Sequence, residues 1–523
     1  MRTLRNRLLN ALPWLLLIVS LALYLSTMAP TISWEHDGYD AGDLITAAYT
    51  LGIPHPTGYP TYMLLAKAFA SLPVGDIAYR INLLSAVCAA ATVVLLYSAG
   101  QELLPETPQA RLASFCAAML LATSRIFWSQ ALITEVYALN CLFFAATLCL
   151  SVRLARCPSA AVTAQPLRVS LWTAWLYGLS LGNHLTIAFS APLILYHFWS
   201  TSRHRASRLM DWARVLGALL LGLAVYLYLP LRVGRQALFN WGNPADLRGF
   251  LWVVSGGIYR QYVLALPAAY WGDRLLAWAG LLREQFGLWG TALGLLGAWV
   301  HLRRNARQFA ILALTFALYS LYAGAYNTTD SYVYLLPVYF LFALWIAWGA
   351  LHLLHAFAGA PGKWSTLLTL AVALALLALP IGSLRRNLPL VDLHNDHTAY
   401  DYGSQVLAQV PDNSLLISAT DPHTFTLWYF LRVVTGRDAV ALVDRDLLGY
   451  DWYVDGLRRS YPWLDFPVAP SGLPPSVGQL VEANLSSRDV FLTDPDPALL
   501  AHYAFQQQEG PLYRLLPKES TAP

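Results

Sequence analysis

Apolar runs long enough to cross a lipid bilayer recur along most of this 523-residue sequence. A transmembrane helix needs about 20 mainly apolar residues. Such runs begin near Leu12, Asn82, Leu112, Glu135, Leu171, Leu185, Val215, Leu288, Gln308, Tyr332 and Trp364. Only 12% of the residues are charged, whereas soluble proteins carry about 25%. The sequence therefore predicts a polytopic α-helical membrane protein with about eleven transmembrane helices and excludes a soluble enzyme with a single anchor.

The positive charges alternate from loop to loop. With the N-terminus in the cytoplasm, the inner segments hold Arg2, Arg5, Arg7, Arg111, Arg153, Arg156, Arg168, Arg203, Arg205, Arg208, Arg214, Arg303, Arg304, Arg307 and Lys363. The short outer segments near 183 and 325–331 hold none. Positive residues favour the cytoplasmic side, so we expect the C-terminus outside. The arginine-rich composition favours a bacterial inner membrane, and a formal net charge of +4 does not suggest a nucleic-acid partner.

The composition changes after about residue 384, where charges and prolines return. Short apolar segments at 415–418, 439–444 and 489–493 predict buried strands, and 422–434 and 446–459 predict helices between them. This alternation predicts a membrane domain over 1–383 and a small extracytoplasmic α/β domain over 384–523. Asp421 and His423 follow the first predicted strand, at the edge where such domains often bind ligands, although polar residues are also common in turns.

Four carboxylates crowd the first predicted outer loop within nine residues, namely Glu35, Asp37, Asp40 and Asp43. On a helix that begins here, Asp40 and Asp43 share one face. Crowding raises the pKa of at least one acid, which suits a general base for a hydroxyl nucleophile. The alternatives are a solvated acidic loop or a helix N-cap at Asp40.

Further polar residues cluster at the outer ends of several predicted helices. Individually, each has a structural explanation: His184 could be a packing histidine, Arg232 a snorkelling arginine, and Glu135 a partner of Arg80 or Arg125. Together they predict one polar pocket at the outer boundary. Its expected binding residues are His55, Tyr59, Arg80, Glu135, Tyr137, Asn140, His184, Arg232, Asp330 and Tyr334.

A pocket at one leaflet suits a lipid-linked substrate whose phosphate lies at headgroup level. Arginine binds phosphate well, so Arg80 and Arg232 are the expected anchors, with Arg260 a weaker candidate. A transporter would place its charges nearer the bilayer midplane. The leading hypothesis is a glycosyltransferase, and the alternatives are a transporter or flippase of a lipid-linked glycan and a non-catalytic envelope-assembly scaffold.

No cluster of side chains has the spacing of a metal site. We therefore predict no cofactor and leave a divalent metal open. The cysteines Cys88, Cys116, Cys141, Cys149 and Cys157 fall in predicted helices or at an inner edge, where they are expected to be apolar fillers.

The residues from Ala29 to Ala86 resemble the opening of a multi-pass family long described as a domain of unknown function, whose animal members are transmembrane protein O-mannosyltransferases. The resemblance rests on 40–45, 47–49, 51–52, 55–60 and 80–86, and it extends through 135–140, 182–185, 229–232 and 240–244. Asp43 stands where the family usually has Glu, and Thr57 where it usually has a second Pro.

This resemblance implies a GT-C-type glycosyltransferase fold. Such an enzyme takes sugar, with mannose as the candidate, from a polyprenyl-phosphate donor at the outer leaflet and transfers it to a hydroxyl of a protein or glycan acceptor. It implies an acidic catalytic residue in the first outer loop, and the acids at the motif positions are Asp40 and Asp43. Of the two, Asp40 is the preferred base.

Overall fold

The computed structural model describes residues 2–156, 165–202, 208–234, 239–359, 364–467 and 474–518. Cys157, Arg203, Arg205 and Lys363 lie outside the described residues. The apolar part contains helices α1 (Arg2–Thr27), α2 (Ala41–Thr50), α3 (Pro60–Ala70), α4 (Ile77–Leu103), α5 (Pro108–Ala122), α6 (Arg125–Ser129), α7 (Tyr137–Arg156), α8 (Gln165–Leu181), α9 (Ala191–Ser202), α10 (Arg208–Leu223), α11 (Tyr228–Val233), α12 (Leu247–Val254), α13 (Trp271–Arg304), α14 (Ala306–Ala325), α15 (Leu336–Ala358) and α16 (Trp364–Val391). Short 3₁₀ turns at Glu35–Asp40, Leu185–Ser190, Ala224–Leu227, Gly257–Tyr262, Ala268–Tyr270 and Ser331–Leu335 connect several of them.

Within the described ranges, six helical segments are long and apolar enough to cross a bilayer. They are Ile77–Leu103, Tyr137–Leu154, Leu209–Val233, Ala306–Ala325, Ser331–Ala358 and Trp364–Val391. A helix also lies at each of the other predicted positions, and α13 changes direction at Gly287 (φ 66°), close to the predicted start at Leu288. These segments indicate an integral membrane protein, while the count of eleven spans stays a prediction.

Helix α15 is the centre of the membrane part. Its sequence is apolar on every side, as is typical of a helix buried all round, and it packs against α4, α5, α7, α13, α14 and α16. Its closest neighbour is α13, where a Cβ at Gly297 would lie 1.7 Å from the carbonyl oxygen of Trp345. Glycine lets the two backbones approach, as small residues do between membrane helices. Cys88, Cys116, Cys141 and Cys149 are buried free thiols, as predicted for apolar fillers.

The last part of the chain forms a five-stranded mixed sheet with flanking helices. The helices are α17 (Thr398–Gln409), α18 (Asp421–Tyr429) with a π-turn at Phe430–Val434, α19 (Asp451–Ser460), α20 (Val477–Asn484) and α21 (Pro497–Leu500). The strands are β1 (Leu415–Ser418), β2 (Ala441–Asp444), β3 (Val490–Leu492), β4 (Tyr503–Gln507) and β5 (Tyr513–Pro517).

The strand order is β2-β1-β3-β5-β4. Strands β2, β1 and β3 are parallel, and β5 joins β3 and β4 in antiparallel fashion. The three strands and two helices predicted here are confirmed within a few residues. The β4–β5 hairpin was not predicted, because its residues are largely exposed or half-buried and lack a continuous apolar run.

Candidate active site

The acidic loop turns sharply before it enters α2. His36 and Asp37 adopt left-handed backbone angles (φ 59° and 61°) within the 3₁₀ turn Glu35–Asp40. Asp40 occupies the N-cap position of α2, but its carboxylate accepts no capping hydrogen bond. The capping explanation for Asp40 is therefore wrong, and its carboxylate is left available for another role.

Asp40 and Asp43 lie one helical turn apart and face the same imidazole. His55 Nδ1 lies 2.8 Å from Asp43 Oδ2, and His55 Nε2 lies 3.6 Å from Asp40 Oδ2. The backbone N–H of His55 also donates to Asp43 Oδ2 at 2.9 Å. The imidazole thus bridges two carboxylates whose positions are set by the start of α2.

The two acids differ in how much of each carboxylate is free. Asp43 is fully buried; its Oδ2 accepts from His55, and its Oδ1 accepts from Trp241 Nε1 at 3.1 Å. The side chain of Asp40 is 37% exposed, and its contact is the longer ion pair to His55. Asp43 therefore holds the histidine, whereas Asp40 is open to a second molecule.

The charges of this cluster favour a protonated histidine. Burial alone would lower the pKa of His55, but the carboxylates of Asp40 and Asp43 outweigh burial and raise that pKa to about 9. Removal from water, together with the nearby charges of Asp43 and Asp330, raises the pKa of Asp40 above its ordinary value. A carboxylate with a raised pKa is a stronger base.

An aromatic wall stands beside the acids. Tyr59 stacks on His184 with ring centroids 6.3 Å apart, and it meets His55 edge-on at 5.0 Å. Tyr137 and Tyr334 complete the wall, each with its ring centroid 5.6 Å from that of His184. The structure thus brings these five predicted residues together, although they come from four separate stretches of sequence.

Glu135 is buried without the cationic partners considered for it. Its side chain lies 4% exposed, and Oε2 accepts from the backbone N–H of Val136 at 3.3 Å. Arg125 instead pairs with Glu284 at 2.6 Å. The structural alternative, in which Glu135 pairs with Arg80 or Arg125, is therefore wrong, and burial followed by the charge of Asp40 raises the pKa of the Glu135 carboxyl well above its ordinary value.

Asn140 and Asp330 lie at the edges of this region. Asn140 Nδ2 donates to Thr186 Oγ1 at 3.2 Å, so Asn140 supports the turn that follows His184. Asp330 is half-buried, and its charge contributes to the raised pKa of Asp40.

The two arginines expected to anchor phosphate are occupied by backbone carbonyls. Arg80 donates to the oxygens of Val74, Ala70 and Gly75 at 2.8, 2.9 and 3.0 Å.

Arg232 donates from Nε to Leu51 and from Nη2 to Thr50 at 3.3 Å. Carbonyls at a helix C-terminus lack partners within the helix, and these guanidinium groups supply them at the ends of α3 and α2. In this structure the two guanidinium groups therefore stabilise the chain where α2 and α3 end, and the phosphate-anchoring role of Arg80 and Arg232 stays a prediction.

Arg80→Ala is expected to lower stability and to leave donor recognition unchanged. The change removes three hydrogen bonds to carbonyls, each worth about 0.5–1.5 kcal/mol. Thermal unfolding of the purified protein should begin several degrees lower, while the apparent affinity for a lipid-linked donor stays within about twofold, since no phosphate contact is lost. A large loss of donor affinity at unchanged Tm would contradict the structural role.

Three further residues lie at this site and were not among its predicted binding residues, although Asp421 was noted as part of a strand edge in the C-terminal domain. Trp241 binds Asp43, and the ring of Tyr259 lies 6.2 Å from that of His55. Asp421 opens α18 near the acids, and burial followed by the charge of Asp40 raises its pKa to about 7. All three come from distant parts of the sequence, and only Trp241 fell within a motif of the family resemblance.

Helix α18 brings the C-terminal sheet against the acidic loop. A Cβ at Gly42 would lie 2.2 Å from the carbonyl oxygen of Phe425, so glycine is needed where α2 meets α18. Trp34 Nε1 donates to Thr426 Oγ1 at 2.8 Å and to the carbonyl of Pro422 at 3.2 Å. The C-terminal region therefore forms part of the site's wall.

Both the membrane part and the C-terminal part match known sequence models. The model of the Protein O-mannosyl-transferase TMEM260 N-terminal domain matches residues 40–207, and that of TMEM260-associated domain 2 matches residues 399–463. The chain is 27% identical over 470 residues to Protein O-mannosyl-transferase TMEM260 of Mus musculus, with 83% of this chain and 64% of that protein covered. The chain is related to the TMEM260 family.

A second TMEM260 relative comes from Dictyostelium discoideum. It is 22% identical over 537 residues, which cover 91% of this chain and 63% of that protein. The chain therefore spans less than two thirds of the length of either curated relative.

Solved structures share the fold of this TMEM260 relative. ArnT from Cupriavidus metallidurans matches with a TM-score of 0.59 when bound to undecaprenyl phosphate and 0.60 in the apo state, at 12% and 13% identity, with 98% of both chains covered. The Archaeoglobus fulgidus oligosaccharyltransferase matches with a TM-score of 0.51 at 11% identity, covering 91% of this chain and 67% of that one. The GT-C-like membrane fold is thereby confirmed.

The first TMEM260 match contains the acid cluster, and the second contains the helix of the C-terminal region that packs against it. The first begins at Asp40 and includes Asp43, His55 and Glu135, and the second includes Asp421. The segments that form the two walls of the site are thus those that this chain shares with the family.

Proposed function

We propose that this protein is a membrane glycosyltransferase. It moves one sugar, with mannose as the first candidate, from a polyprenyl-phosphate donor to a hydroxyl of a protein or glycan acceptor. The observation that carries the proposal is the partly exposed Asp40 carboxylate, which pairs with the buried His55–Asp43 pair beside the rings of Tyr59 and His184. The names of the TMEM260 relatives and the undecaprenyl phosphate bound to ArnT support this choice of acceptor and donor.

In the proposed reaction, Asp40 accepts the proton of the acceptor hydroxyl. The hydroxyl oxygen forms a bond to the anomeric carbon of the sugar as the bond from that carbon to the phosphate oxygen breaks. The electron pair leaves with polyprenyl phosphate, and the configuration at the sugar carbon inverts. His55 and Asp43 are positioning residues, because they hold Asp40 without touching the acceptor. Proximity of base, acceptor and donor supplies much of the rate.

The proposed site faces the extracytoplasmic side. The alternation of positive charge supports an N-terminus in the cytoplasm, which puts the acidic loop and the C-terminal α/β domain (384–523) outside and the membrane domain (1–383) in the bilayer. A bacterial inner membrane is the proposed location on the basis of the arginine-rich composition, although both relatives compared above are eukaryotic.

A cysteine introduced at Glu35, an exposed residue of the acidic loop, should react with a membrane-impermeant maleimide in intact cells.

Transfer by the purified protein is the direct test of the function. The full chain in detergent is incubated with a panel of polyprenyl-phosphate sugars and with candidate acceptor polypeptides and glycans, and mass spectrometry detects the product. A mass increase of one sugar on an acceptor supports the proposal. Movement of a lipid-linked glycan across proteoliposomes without any transfer would support the transporter, and neither activity would support the scaffold.

The pH dependence of transfer should be bell-shaped. Asp40 is active when its carboxylate is ionised, so the transfer rate should fall as acid protonates that carboxylate.

The alkaline limit comes from His55, which has a folded-state pKa of about 9, above the ordinary value of about 6.5. Its ion pairs therefore stabilise the fold fully below about pH 6.5 and are lost as the pH rises through 9. Rate and Tm should both fall at this alkaline limit in the wild type, and His55→Gln should remove the alkaline step in Tm.

A further inference from the structure

A cavity beside the candidate active site lies between the outer loop that follows α11 and the C-terminal region. Its volume is about 410 Å³, which is within the range of ligand-binding pockets. Three indoles dominate the lining, namely Trp241, Trp428 and Trp452, and the ring centroid of Trp241 lies 5.4 Å from that of Trp452. Its wall is therefore contiguous with the acid cluster, because Trp241 also donates to Asp43.

Two polar atoms of the lining lack partners. Trp452 Nε1 and Asn240 Oδ1 are buried and make no hydrogen bond to any residue in the described ranges. An unsatisfied buried polar group is costly, and such groups are often satisfied by a bound ligand or an ordered water.

Two arginines line the cavity within the described ranges, and the positive charge of one of them is not offset by a carboxylate. Arg432 is neutralised, because it pairs with Asp438 and donates to the hydroxyl of Tyr461 at 2.9 Å. Arg459 is exposed and forms no ion pair within the described part of the chain. A ligand with an apolar aromatic portion and a nearby carboxylate would complement this lining.

A glycine opens one wall of the cavity. Gly456 lies in the middle of α19, and a Cβ built there meets no atom within 4 Å. Glycine inside a helix costs about 0.5–1 kcal/mol relative to alanine, so this position leaves space at the expense of helix stability.

We propose that this cavity binds the acceptor polypeptide, with an aromatic side chain inserted among the indoles and an acidic side chain paired with Arg459. The inference rests on the proposed function. It assigns the acceptor polypeptide to the cavity side of Trp241, and it assigns the reacting hydroxyl of that acceptor to the other side of Trp241, next to Asp40. Aromatic rings are the largest group in the lining, and the amides of Asn240 and Asn243 bond to each other, which leaves few neutral polar groups for the many hydroxyls of a glycan. An aromatic residue is the better match, because ring pairs add affinity beyond the buried area.

The test measures peptide binding apart from transfer. Short fluorescent threonine peptides carry Trp or Ala at one position and Glu or Lys at another, and fluorescence anisotropy measures their binding to the full chain with Asp40→Asn, which is inactive by design. Gly456→Phe is then introduced to fill the cavity, and Arg459→Gln to remove its charge. The matched controls are Gly449→Phe, which lies outside the lining where a Cβ also meets no atom within 4 Å, and Arg458→Gln, whose arginine pairs with Asp455.

We expect the Trp–Glu peptide to bind at least tenfold more tightly than the Ala–Lys peptide. Gly456→Phe should remove this preference, Arg459→Gln should remove the part due to Glu, and both controls should retain it. In the transfer-active background, Gly456→Phe should raise the acceptor KM without changing the donor KM. Unchanged binding by Gly456→Phe, or displacement of the peptide by a mannose oligosaccharide, would overturn the proposal.

These outcomes separate the two proposals. If the wild-type chain shows no transfer while peptide binding still depends on Gly456, the result supports the cavity and counts against the transferase. If the wild-type chain transfers sugar while peptide binding is unchanged by Gly456→Phe, the result supports the transferase and counts against the cavity.

Discussion

Asp40→Asn should abolish sugar transfer while the protein stays folded. The amide has nearly the shape of the carboxylate but cannot accept the proton of an acceptor hydroxyl, and loss of a general base costs about 10²–10⁴-fold in rate. The side chain is 37% exposed and caps no backbone group, so its replacement leaves few contacts unsatisfied. Transfer is measured with the lipid-linked sugar and acceptor that the donor panel identifies, and folding is measured by thermal unfolding.

The matched control for Asp40→Asn is Glu35→Gln. Glu35 belongs to the same acidic loop and is exposed, and no part of the proposed mechanism uses it. The control should transfer sugar at the wild-type rate, and both variants should bind the donor equally well. Wild-type activity in Asp40→Asn would exclude Asp40 as the base; activity lost equally in both variants would point to the charge of the loop as a whole.

The sequence could predict that the two acids and His55 lie close together, but it could not predict which groups Arg80 and Arg232 contact. Asp40, Asp43 and His55 are close in sequence, so a single helical turn and a short return loop suffice to bring them together. Arg80 and Arg232 stand at helix ends where either phosphate or unsatisfied carbonyls could engage them. The sequence pattern does not distinguish these partners, since the choice depends on how α2 and α3 end in space.

The residues that sequence reasoning missed are those supplied by tertiary packing. Trp241 lies 198 residues after the carboxylate it binds, and Asp421 reaches the site only because α18 packs on α2. Similarly, the apolar runs predicted the helices of the membrane part, but the burial of α15 and its close contact with α13 at Gly297 follow from the three-dimensional arrangement. Local periodicity identifies elements; it does not identify which distant elements meet.

Asp43→Ala should destabilise the protein as well as inactivate it, in contrast to Asp40→Asn. Asp43 is completely buried and accepts from the His55 backbone, the His55 ring and the Trp241 indole at 2.9, 2.8 and 3.1 Å. Removing one partner of a buried ion pair costs about 3–5 kcal/mol. We expect a large fall in Tm and a loss of transfer, because His55 would no longer hold Asp40 in place.

Asp43→Glu tests whether this loss comes from the missing carboxylate. The longer acid restores the charge and can still accept from His55, and glutamate is the residue that the family resemblance leads us to expect at this position. Part of the Tm and part of the transfer activity should therefore return, along with the alkaline step in Tm that reports His55. Should Asp43→Ala unfold at the wild-type temperature, Asp43 would contribute no net stability, and the proposed coupling from Asp43 through His55 to Asp40 would be wrong. A charge that is buried in the wall of the site would then need another explanation, and the position of Asp40 would have to be set by the start of α2 alone.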